Sequence, residues 1–155
     1  MSNFDGDRSA GYFAPGLGSV GAYQISGIPY ITSSLSVPSG SSTPLKIQFP
    51  GVSNYIYVKN TMSTASAAAP IRFGFSQNGV SGSSATHYMA LSNGESFQAN
   101  WRVEDIYLIA ISPSATGSAM VAAGITPIPR GIPPVVEGWT SGSRWNNWSG
   151  SSGIG

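Results

Sequence analysis

His87 is the sole histidine of a 155-residue chain, so any Ser-His chemistry must pass through it. It follows a Ser-rich stretch, and a functional reading would make it the base for Ser83 or Ser84. No Gly-x-Ser-x-Gly elbow accompanies them, and serine is so frequent here that the adjacency carries little weight. An ordinary histidine at a strand edge is the simpler expectation. The six Asp and Glu residues could supply a carboxylate pair for glycoside hydrolysis. Glu104 and Asp105, however, are neighbours that a strand would point to opposite faces. Glu95 and Glu104 could converge, yet Arg102 lies nearby, so a solvated ion-pair cluster at a strand edge is expected instead. Asp5-Gly6-Asp7 begins like a calcium loop but stops at two acids, whereas such a site needs about six to eight oxygens. Asn147-Trp148-Ser149 fits a glycosylation sequon, a pattern common by chance. The Gly-rich stretches lack the Lys and the strand-to-helix setting of a phosphate cradle. With no Cys, disulfides, thiolate zinc sites and cysteine nucleophiles are excluded together. The residues therefore point to no active site, no metal and no cofactor.

Composition says what must carry such side chains. Charged residues make up 8% of the chain and hydrophobic ones 41%, with a formal charge of +1. That balance is unlike a disordered chain, which combines low hydrophobicity with high net charge. Twenty Gly and eleven Pro place helix breakers throughout, which disfavours an all-α fold. Seven scattered Lys and Arg are too few for a phosphate-neutralising surface, so no direct nucleic-acid partner is expected. The N-terminus shows no apolar signal region. The longest aliphatic run, 106–111, is far short of the ~20 residues of a membrane span.

Three regions follow from texture. Residues 1–27 mix Gly with isolated aromatics and show no period, which reads as an extended N-terminal arm. Residues 28–126 consist of short β-branched and aromatic runs punctuated by Gly, Pro, Ser and Asn. Eight runs are expected as strands: 29–36, 45–49, 52–60, 71–77, 86–92, 95–101, 104–112 and 117–126. The run 106–111 is apolar on both faces and suits a central strand, while Ala-rich 119–125 is read as a strand on its flanking Gly and β-branched residues. Pro50-Gly51 and Asn93-Gly94 mark turns, and 61–70 and 78–85 read as exposed loops. Eight strands without intervening helices or internal repeats predict an all-β, two-sheet antiparallel jelly roll. Phe49, Ile56, Val58, Phe73, Phe75, Leu91, Ile106 and Leu108 are its expected core. Residues 127–155 form a Pro-rich and then Trp, Gly and Ser-rich C-terminal tail.

So few charges lie well below the about 25–35% that keeps a small domain's surface soluble, and the aromatics of both arms cannot bury themselves. Phe4, Tyr12, Phe13, Trp139, Trp145 and Trp148 are thus candidate assembly contacts.

Gly27-Ile28-Pro29-Tyr30-Ile31-Thr32, Ile47-Gln48-Phe49-Pro50 leading into Tyr55-Ile56-Tyr57-Val58, the run from Ile71-Arg72-Phe73-Gly74-Phe75 through Ser76-Gln77-Asn78-Gly79-Val80, and Tyr88-Met89-Ala90-Leu91 carry a resemblance. Together they are similar to the single jelly-roll penton and minor capsid proteins of large icosahedral double-stranded DNA viruses. The similarity covers roughly 27–112 and consists of strand and turn signatures. It implies a homopentamer that closes the five-fold vertices of a virion, in contact with major and possibly minor capsid proteins. The Trp-rich extension has no counterpart in that pattern. A carbohydrate-binding jelly roll is the alternative, with Tyr55, Tyr57 or Trp101 stacking on sugar rings.

Overall fold

The computed structural model describes residues 27–63, 70–81, 85 and 87–130. Eight strands occur in the order β1 (Ile28–Val37), β2 (Leu45–Gln48), β3 (Ser53–Asn60), β4 (Ile71–Gly74), β5 (Met89–Leu91), β6 (Ser96–Ala99), β7 (Asp105–Ala110) and β8 (Gly117–Ile125). One short helix, α1 (Gln77–Val80), lies between β4 and β5. The strands form two four-stranded sheets, ordered β1-β8-β3-β6 and β2-β7-β4-β5, with every pairing antiparallel. Successive strands thus pass from sheet to sheet, save β4 and β5, which pair within one sheet, and this is the winding of a jelly roll. The expected fold class is the observed one.

Alternation builds the core. On β3, Ile56 and Val58 are buried while Tyr55, Tyr57 and Lys59 are only half covered. The period of two repeats on β8, where Ala119, Val121, Ala123 and Ile125 turn inward. These residues meet Ile47, Ile71, Phe73, Leu91, Ile106 and Leu108 of the other sheet in one cluster. All eight expected core residues belong to it, Phe75 as a half-buried member. In the same core the rings of Phe73 and Phe97, one from each sheet, lie with centroids 5.2 Å apart.

β7 is buried along its whole length, as its unbroken apolar run requires. Ile106 and Leu108 enter the inter-sheet core, and Tyr107 and Ile109 are covered from outside by Val80 of α1. Here the structure corrects two expectations. The run 71–77 ends as a strand at Gly74, and residues 78–80 are not exposed loop, since Gly79 and Val80 are buried. The cause is local. Ser76 is extended and caps the helix, its hydroxyl accepting from the Gly79 N–H at 3.0 Å, so the chain turns back over β7. The expected strand 86–92 is likewise reduced to Met89–Leu91.

Two turn signals act as read. Gly94 in the β5–β6 turn has a φ of 80°, which favours glycine. Gly51 lies so close to the Thr126 and Ile128 carbonyls that a Cβ would meet them at 2.9 and 3.0 Å.

Register fixes the polarity of the sandwich. Ile28, at the start of β1, pairs with Ile125 at the end of β8, which also lies opposite Ser53 at the start of β3. Residues 27 and 126–130 therefore lie at one end, with the β2–β3 and β6–β7 connections and α1. The β1–β2, β3–β4, β5–β6 and β7–β8 connections lie at the other.

Candidate functional site

Phe4, Tyr12, Phe13, Trp139, Trp145 and Trp148 lie outside the described residues, as do Asp5, Asp7, Ser83, Ser84 and Asn147. What is described is the scaffold from which both terminal segments depart, and the surfaces it leaves uncovered.

The departure end is held by buried polar groups. After β8, the Thr126 N–H and hydroxyl both donate to the Val52 carbonyl, and the Val52 N–H donates to the Ile128 carbonyl. Ile128 is fully buried, so the Pro-rich segment begins as a strap packed on the sandwich. Arg130 then reaches inward. Its Nη1 donates to the carbonyls of Phe49 and Glu104, each at 2.7 Å, and its Nη2 to Asp105 Oδ1 at 2.8 Å. The Asp105 side chain is 1% exposed and its other oxygen is 3.1 Å from Lys46 Nζ. This hydrogen bond holds the Lys46 ammonium above its ordinary pKa. Ser53, also buried, donates to the Trp101 carbonyl and accepts from the Val103 N–H, pinning the β6–β7 loop.

These contacts correct the carboxylate reading. Glu95 sits in the β5–β6 turn, where it accepts from the Ser92 N–H, while buried Glu104 lies at the opposite end of the sandwich. The two do not converge in a solvated cluster at a strand edge. The ion pairs centre on buried Asp105, with partners from β2 and from the chain beyond β8. Glu104 and Asp105 are both buried in the scaffold. His87 is half-buried beside α1, its N–H donating to the Gly79 carbonyl. Among the described residues no three His, Asp or Glu side chains gather as a metal site, and no helix is long and apolar enough to cross a membrane.

The aromatics considered for sugar stacking do not share one platform. Tyr55 and Tyr57 lie on the outer face of the β1-β8-β3-β6 sheet, with the Tyr55 hydroxyl donating to Gln98. Trp101 instead packs against Phe97 and Phe75, at 5.2 and 5.7 Å between centroids, and both of those rings lie against the core. Trp101 thus closes the open edge of the sandwich and leaves 42% of its surface outside.

Five large hydrophobic residues are exposed among the described ones: Ile28 and Ile31 on β1, Tyr88 and Met89 at β5, and Trp101 after β6. β1 is an edge strand of one sheet and β5 of the other, on opposite sides of the sandwich. No protein-family model matches the chain, and no curated protein matches it.

Proposed function

We propose that this chain is a structural virion protein, a penton subunit whose homopentamer closes the five-fold vertices of an icosahedral capsid. The observation that carries the reading is a single jelly roll whose two terminal segments leave from one end, beneath side edges that bear exposed hydrophobic residues. In this reading a subunit stands beside its copies and reaches neighbouring proteins through the segments that leave from that end. The scarcity of charge agrees, because a surface meant for permanent burial has no need of it. The sequence similarity to single jelly-roll capsid proteins supports the same class. In this reading the arm aromatics Phe4, Tyr12 and Phe13 and the tail tryptophans Trp139, Trp145 and Trp148 dock on the surrounding major capsid proteins, with minor capsid proteins as further neighbours.

A five-fold ring is heterologous: one side of each subunit meets a different side of the next until the ring closes. Native mass measurement of the full-length chain tests this, with five chains per particle as the expected result. A strict monomer, in solution and in virions, contradicts it. Removing residues 135–155 should weaken docking to the capsid and leave the sandwich folded, because each tryptophan can take about 150–250 Å² out of water.

A further inference from the structure

Resting on the five-fold reading, we infer that the subunit contact joins the β1 edge of one copy, through Ile28 and Ile31, to the β5–β6 edge of the next, through Tyr88, Met89 and Trp101. Charge, proline, bulges and brevity keep edge strands from pairing backbone to backbone, but proline, bulges and brevity leave any apolar side chains there uncovered. β1 has ten residues and no charged one, and Ile28 and Ile31 are 69% and 70% exposed. β5 and β6, the edges on the other side, also carry no charge. The one charged residue of β2, next to β1, is Lys46, which is tied to Asp105. Both sides of the sandwich therefore present apolar seams, the one at β5 with Arg72 stacked on the Tyr88 ring at 4.6 Å and exposed Arg102 beside Trp101.

Two features select a second copy as the occupant. The seams lie on opposite sides of the sandwich, with two further strands between the edge strands of each sheet. No subunit can fold one onto its own other. A like-to-like dimer would cover one seam and leave the second in water, whereas a head-to-tail ring uses each seam once per subunit. A ten-residue strand is roughly 33 Å long, the length scale of a stable interface of about 800 Å² per partner. Pro29 and the register shift between Thr32 and Leu35, with Ser34 at a φ of 56°, interrupt the backbone edge of β1. The contact is accordingly made by side chains and not by one continuous ladder running through both subunits.

The absence of native Cys allows a clean test. The full-length chain carrying both Ile31→Cys and Met89→Cys, treated with a flexible bis-maleimide, should give a covalent ladder ending at five. A mixture of the two single variants should give dimers and nothing larger. Ile31→Glu, at an exposed position, should convert rings to folded monomers with an unchanged circular dichroism spectrum. Dimers formed by Ile31→Cys alone would overturn the inference in favour of a like-to-like contact. Rings that survive both Ile31→Glu and Met89→Glu would overturn the edges while leaving the pentamer standing. A wild-type chain that remains monomeric would overturn the ring itself.

Discussion

The two ends of the sandwich are built by different means. At the end where the terminal segments leave, buried side chains hold the backbone: Arg130 on the Phe49 and Glu104 carbonyls, Ser53 on the β6–β7 loop, and Thr126 on Val52. At the other end the loops are held largely by backbone hydrogen bonds, including Gly40 to Ser112, Ala110 to Pro38 and Ile111 to Pro70. There the surface carries hydroxyls, as in Ser39, Ser41 and Ser42, which bond to each other and to the Pro113 carbonyl. A buried side-chain anchor is costly to lose, because the groups it satisfied stay behind without water. A surface hydroxyl is replaced by solvent. The difference teaches where the polar anchoring lies: buried side-chain hydrogen bonds are concentrated where the proposed docking segments are attached.

Substitutions can break this contrast. Phe49 is fully buried at the anchored end and meets Tyr30 edge-on at 5.2 Å. Phe49→Ala should cost about 3–5 kcal/mol, read from denaturant unfolding, because a ring-sized cavity opens beneath the strap. Arg130→Ala should follow at about 2–3 kcal/mol, since it leaves the Phe49 carbonyl and one oxygen of buried Asp105 without that donor and the Glu104 carbonyl with the Phe49 N–H alone. Limited proteolysis should then cut near residue 130 sooner than in the wild type.

Among the described residues, Asn60 is the buried polar anchor to compare at the hydroxyl end. Asn60, fully buried, donates to the Leu91 carbonyl and accepts from the Met62 N–H, so it ties the two sheets together. Asn60→Ala should cost about 1–2 kcal/mol. Ser42→Ala, at an exposed loop position, should change stability by less than about 0.5 kcal/mol. A larger loss at Ser42 than at Arg130 would reverse the assignment of the anchored end.

The strands were legible because their signals are local. Alternation marked β3, the doubly apolar run marked the centrality of β7, and Asn93-Gly94 marked the β5–β6 turn. The failures also have local causes. Phe75 continues the alternation of β4, yet Ser76 caps a helix in the next turn, and a capping serine looks like any loop serine until the helix is seen. The Asp105 cluster was illegible for a different reason. Lys46, Asp105 and Arg130 are brought together only by strand order, and Arg130 lies in a proline-rich stretch that carries no period. The exposed seams were half legible: the sequence showed too few charges for a free surface, but not which apolar side chains the sandwich would leave uncovered.

Reconstruction of the intact particle tests the central claim most directly. The account predicts five copies of the eight-stranded sandwich around each five-fold axis, with residues 27 and 130 at the end facing the surrounding capsid proteins. Vertices filled by a different fold, or this chain found away from them, would contradict it.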